Sequence, residues 1–125
     1  MENNYVGFVY ENTRTGRWRV RVVQRFDAFK LRNVPLRELR TRFAQEDERF
    51  LFSATIGTTL QLTEGDTTGL FHVKNLDSDG RRFDLRPLNQ TAGGSQNRYG
   101  ASALQKANAS KVVVLPSGEV RTARD

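Results

Sequence analysis

The chain has 125 residues, no cysteine, and 20 Lys and Arg against 14 Asp and Glu, a net charge of +6. This length fits one domain with a single hydrophobic core, and the lack of cysteine excludes disulfides, thiolate catalysis and cysteine-based zinc sites. Because no apolar stretch is long enough for a membrane span and Met1–Asn4 is polar, we expect a soluble, cytoplasmic protein without a signal peptide.

The first predicted elements form a β-hairpin that carries a row of arginines. A β-branched and aromatic run, Tyr5–Tyr10, is followed by a polar loop and a second strand, Arg17–Gln24. In the second strand apolar side chains alternate with basic ones, at Trp18, Val20 and Val22 and at Arg17, Arg19 and Arg21. Since alternate residues of a strand share a face, we expect the three arginines to be exposed together, roughly 6.5–7 Å apart.

A third strand is predicted at Phe26–Leu31, and a helix follows from about Pro35 to Asp47. Proline is favoured in the first turn of a helix. The apolar residues of this segment lie at helical spacing and form one stripe, Leu36, Leu39 and Phe43. Arg37 and Arg40 lie to one side of that stripe.

Period-two patterns return from Phe50 onward and predict strands at 50–56, 59–63, 70–74 and 81–86. Residues 89–110 are rich in Gly, Ala, Ser and Asn and predict a loop. Residues 111–125 predict a C-terminal hairpin that docks on the core domain, residues 1–88, or on a partner. We therefore expect a mainly β fold with one inserted helix, a small antiparallel barrel of the SH3-like or OB-like kind. A two-layer α+β arrangement is the alternative.

The C-terminal hairpin has a local sequence likeness. Val112–Arg121, which reads VVVLPSGEVR, resembles the LPSGE-V/M-R hairpin of the large-subunit ribosomal protein L2 family. In that family such a hairpin belongs to a small β-barrel that contacts RNA. The resemblance covers about ten residues; it agrees with the barrel prediction, and we carry no function from it.

The charge pattern predicts a binding site for an anionic partner. Residues 1–44 hold ten Lys and Arg against four Asp and Glu, whereas residues 45–90 hold five against eight. Aligned arginines match the phosphate spacing of a nucleic-acid strand, and an exposed aromatic ring at a strand end can stack on an unpaired base. The candidate residues for RNA or single-stranded nucleic acid are Tyr10, Arg14, Arg17, Arg19, Arg21, Arg25, Arg37 and Arg40. A solvated strand face and an acidic protein partner are the alternatives.

Catalytic chemistry has no candidate in this sequence. His72 is the one histidine, so a multi-histidine metal site is excluded, and no phosphate-binding or nucleophile motif occurs. We expect no enzyme activity, no metal and no cofactor. The alternative function is protein–protein interaction or assembly, including a homo-oligomer, as in a small phage-type structural or inhibitor protein.

Overall fold

The computed structural model describes residues 5–24, 35–77, 82–88, 97–99, 104 and 108–123. Nine β-strands, the short helix α1 and the helical residue Leu104 occur in these segments. The strands and α1 are β1 Tyr5–Asn12, β2 Trp18–Gln24, α1 Leu36–Arg42, β3 Glu48–Ala54, β4 Thr59–Glu64, β5 Thr67–Asp77, β6 Arg82–Pro87, β7 Asn97–Tyr99, β8 Ala109–Val114 and β9 Val120–Thr122. The protein is therefore mainly β, with little helix in the described part.

The strands form two antiparallel sheets. The three-stranded sheet has the order β2-β1-β3, and the six-stranded sheet has the order β7-β6-β5-β4-β8-β9. The consecutive strands β4, β5 and β6 form an antiparallel meander. The strands β8 and β9 extend the same sheet through the pairing of β8 with β4.

The two sheets enclose the main hydrophobic core. Its buried side chains come from alternate positions of both sheets and include Val9, Val20, Phe52, Leu60, Phe83 and Leu85. At Gly7 the two sheets approach each other closely, because a Cβ atom there would lie 2.6 Å from Cε1 of Phe83. The ring of Phe83 thus occupies the space that any other residue at position 7 would need.

A smaller core lies on the other face of the three-stranded sheet. Here α1 packs Leu39, which is fully buried, against Val6, Phe8 and Tyr10. Pro35 is the N-cap of α1 with an extended backbone. Both faces of the three-stranded sheet are therefore covered in part, one by the six-stranded sheet and the other by the helix.

Several boundaries differ from the sequence prediction. The helix ends at Arg42, with Phe43 as its C-cap, rather than near Asp47. Asp47 cannot belong to a helix, because it adopts a positive φ of 68°, and Glu48 begins β3. Strand β3 pairs with β1 across the position of the helix in the chain. The predicted strand 26–31 lies outside the described residues.

The strand pairings of the described residues do not close either sheet into a barrel, so a barrel of the SH3-like or OB-like kind stays a prediction. β7 lies within the stretch 89–110 that the composition predicts as a loop. The division into a core domain, a loop and a C-terminal hairpin also stays a prediction.

Candidate nucleic-acid interface

The arginines of β2 point to the same side of the three-stranded sheet as the helix. In the pairing of β1 with β2, Arg19 lies opposite Tyr10 and Arg21 lies opposite Phe8. Side chains of directly paired residues lie on one face. Since Phe8 and Tyr10 face α1, the basic side chains of the strand and those of the helix share this side of the molecule.

Arg21 is not part of an exposed row, and the expectation that it is exposed is wrong. Its guanidinium lies against Glu48 of β3: Nη1 is 2.7 Å from Oε1, and Nη2 donates a hydrogen bond to Oε2 at 3.0 Å. The two side chains are 13% and 7% exposed. The hydrogen bond from Arg21 lowers the pKa of Glu48, and the charge of Arg19 adds to this effect. Arg21 therefore stabilises the three-stranded sheet by pairing with Glu48 of β3.

Tyr10 is fully buried, so the prediction of an exposed stacking ring is also wrong. Its hydroxyl donates a hydrogen bond to the backbone carbonyl of Arg40, and the Arg21 guanidinium lies 4.8 Å from the centre of its ring. Burial raises the pKa of Tyr10 to about 12. The residue joins β1 to α1 and cannot stack on a base.

The helix contributes two arginines beside this cluster. The Arg40 guanidinium lies 4.6 Å from the centre of the Phe50 ring, and Phe50 packs edge-to-face on Tyr10. Arg37 is exposed one turn before Arg40, on the same flank of the helix. When a guanidinium stacks on an aromatic ring, the ring fixes the orientation of the guanidinium plane, and the N–H groups at the edge of that plane can still donate hydrogen bonds.

Two further arginines form exposed ion pairs, and Arg49 lies on the opposite face of the sheet, since it is paired with Glu11 across from Trp18. Arg14 donates to the carboxylate of Asp47 at 3.1 Å, at the place where the Asp47 carbonyl accepts a bond from the Thr13 amide. Arg49 donates to Glu11. Exposed pairs of this kind contribute little stability and can exchange partners. Arg25 lies outside the described residues.

The remaining predicted arginines are Arg17, Arg19, Arg37 and Arg40, which we call the arginine face. The first three are exposed and Arg40 is half-buried. Within the described part of the chain, no carboxylate lies within ion-pair distance of any of them. The arginine face thus carries four positive charges without an ion-pair partner among the described residues, and Arg42 at the end of α1 is exposed and likewise has none there.

The sequence patterns missed two residues of this arrangement. They are Glu48, which pairs with Arg21, and Phe50, which lies under the Arg40 guanidinium. The pairing of β3 with β1, with a bulge between Val9 and Tyr10, brings both under the arginines. No local pattern predicts that long-range pairing.

Two general properties of the described segments bear on function. None of the helices found there is long and apolar enough to cross a membrane. Among the same residues, no group of three His, Cys, Asp or Glu side chains is arranged to hold a metal ion.

Comparisons with known proteins give a fold likeness. No protein-family profile matches the chain, and no curated protein matches it. The chain is similar to two crystal structures of Campylobacter jejuni Cas9 in complex with sgRNA and target DNA, one with an AGAAACA PAM (TM-score 0.61, 12% identity) and one with an AGAAACC PAM (TM-score 0.60, 13% identity). Each match covers 100% of this chain and 20% of the Cas9 chain. At this identity the likeness shows a shared fold alone, over a fifth of the larger protein.

Proposed function

We propose that the protein is a non-enzymatic binding module that holds RNA or single-stranded nucleic acid on the arginine face. The observation that carries the proposal is that Arg17, directly before β2, Arg19 of β2, and Arg37 and Arg40 of α1 have no carboxylate partner in the described residues. Arg21 and Arg14 are paired with carboxylates, whereas the four arginines of the arginine face have no such partner among the described residues. Their positive charges attract an anion.

The geometry of these arginines suits a phosphate backbone. Arg19 lies in β2 and Arg17 lies directly before it, so their Cα atoms are roughly 7 Å apart where the chain is extended. That distance is close to the phosphate spacing along one nucleic-acid strand. Planar guanidinium groups bind phosphate oxygens in pairs, which a solvated lysine does less well.

Two further points favour nucleic acid over an acidic protein. The chain shares its fold with a part of Cas9 chains whose crystal structures contain sgRNA and target DNA. The sequence pI of 10.3 also suits a polyanion that is present at high concentration in cells. A cysteine-free sequence fits the reducing cytoplasm, where we place the protein.

Matched charge reversals test the proposal. We expect Arg17→Glu with Arg19→Glu to weaken binding of a labelled single-stranded oligonucleotide at least tenfold, because two phosphate contacts become repulsive. The control is Arg82→Glu with Arg86→Glu, two exposed arginines of β6 in the six-stranded sheet. It makes the same change in net charge at another place, and we expect a loss of affinity of no more than about threefold.

Fluorescence anisotropy at low salt measures both double variants. Equal losses in the two would contradict the proposal, because net charge alone would then explain binding. A wild-type protein that binds no oligonucleotide, yet retains a protein partner from lysate after nuclease treatment, would favour the protein-interaction alternative.

A further inference from the structure

An open cavity of about 250 Å³ lies between the two sheets, on the side of β2 opposite to the arginine face. Its walls include Trp18 of β2, Leu51 and Phe52 of β3, and Lys111 and Thr122 of the C-terminal hairpin. Trp18 is the one tryptophan of the chain and is half-buried. The cavity therefore has an aromatic wall on the strand that carries Arg19 and begins directly after Arg17.

The sequence and the sheet geometry explain why these groups meet. The bulge in β3 lets the adjacent residues Leu51 and Phe52 both pack toward the main core. Phe52 contacts Trp18 edge-to-face, with ring centroids 6.2 Å apart and planes at 78°, which fixes the plane of the indole. Lys111 reaches the same place and donates a hydrogen bond to the Ser53 carbonyl at 2.9 Å.

The size and chemistry of the cavity restrict the kind of ligand that it can bind. Pockets that bury whole drug-sized ligands measure roughly 300–1,000 Å³, so a cavity of about 250 Å³ suits a single planar ring system. Walls that contain the rings of Trp18 and Phe52 together with the Lys111 side chain suit a heterocycle that carries carbonyl oxygens. Glu11 lies opposite Trp18 in the pairing of β1 with β2, but Arg49 neutralises its charge.

We propose that this cavity takes one unpaired nucleobase, which stacks on Trp18 while the flanking phosphates bind Arg17 and Arg19. Trp18 lies between these two arginines in the chain, and its side chain points to the other face of the sheet. A nucleotide that crosses the edge of β2 thus meets cations on one side and the indole on the other. This inference rests on the proposed function and adds a base-binding site to it.

The emission of Trp18 tests the inference directly, because no other tryptophan contributes. A single-stranded oligothymidine is titrated into the protein, and an abasic strand of the same length serves as the control. Anisotropy of a label on each strand reports binding, and indole emission reports stacking. We expect the thymidine strand to quench or shift the emission, and the abasic strand to bind about 5- to 100-fold more weakly without that change.

Two variants provide a second measurement. Thr122→Phe places a ring into the cavity from an exposed strand position, whereas Val113→Phe adds the same ring at an exposed position that does not line this cavity. We expect Thr122→Phe to weaken binding of the thymidine strand to the level of the abasic strand, and Val113→Phe to leave it unchanged.

The outcomes separate the two proposals. If the thymidine strand binds and the indole emission does not change, the base site is refuted while the arginine face stands. Equal affinity of both strands for the wild-type protein refutes the base site in the same way. If neither strand binds, both the base site and the proposed function are refuted.

Discussion

Replacing Glu48 by Gln tests the assignment of Arg21 to the fold rather than to the binding face. The substitution keeps the shape of the side chain and removes the charge that neutralises Arg21. Loss of one partner from a buried pair costs about 3–5 kcal/mol of unfolding free energy. Because the Arg21 side chain retains 13% exposure, some water still reaches the guanidinium, and we expect the lower end, about 3 kcal/mol.

Thermal and urea unfolding followed by circular dichroism measure this loss. For a chain of this size 1 kcal/mol shifts Tm by about 3–5 °C, so the expected fall is about 10 °C. The double variant with Arg21→Met should recover most of it, since replacing both partners by neutral groups removes the uncompensated charge. Oligonucleotide affinity of the double variant should equal that of the wild type. A Glu48→Gln protein whose Tm falls by less than about 2 °C would refute the reasoning.

The same pair predicts a pH dependence of stability. The folded-state pKa of Glu48 lies below the ordinary value of 4.5, chiefly because Arg21 donates a hydrogen bond to it. A carboxyl with a lowered pKa stabilises the fold above its unfolded pKa, and that contribution is lost as the pH falls below about 4.5. Urea unfolding between pH 6 and pH 3 (our chosen range) should therefore show a steeper loss in the wild type than in Glu48→Gln.

Three further predictions concern the packing and the paired arginines. Gly7→Ala should lower the free energy of unfolding by about 1–3 kcal/mol, because the added methyl group would lie 2.6 Å from Cε1 of Phe83 and must displace that ring. An unchanged free energy in urea unfolding would show that the two sheets can separate there without cost. Tyr10 should ionise near pH 12 in an ultraviolet titration, since burial raises its pKa to about 12, and stability should fall between about pH 10 and that value; ionisation near 10 would contradict its burial. Arg14→Ala should change oligonucleotide affinity by less than about threefold, because Asp47 already pairs with Arg14; a loss as large as that of the charge-reversed arginine face would extend the site to this loop.

Much of the strand pattern follows from the sequence alone. Alternation in 17–22 predicts β2 and places Trp18 and Val20 on the core side, as the structure has them. Turn residues separate β4, β5 and β6 close to the predicted positions. These strands can be predicted from the sequence because each depends on a pattern of residues that are close together in the chain.

The errors arise where distant segments meet. The alternation of β2 correctly puts Arg21 on the side of Arg19, but it cannot reveal that Glu48, from β3, lies beneath it. Tyr10 ends an apolar run, and a strand end predicts an exposed ring. In the structure α1 covers this ring, and the backbone carbonyl of Arg40 accepts a hydrogen bond from its hydroxyl. Burial depends on which element packs over a face, and local periodicity carries no information about that.

The salt dependence of oligonucleotide binding tests the central claim most directly. If the arginine face neutralises four phosphates of a single strand, a plot of log K against log salt has a slope of about −3, since each contact contributes roughly −0.7. Replacing Arg19 by Ala should reduce that slope by about 0.7. A slope near zero, or one that does not change in the Arg19→Ala protein, would contradict the account.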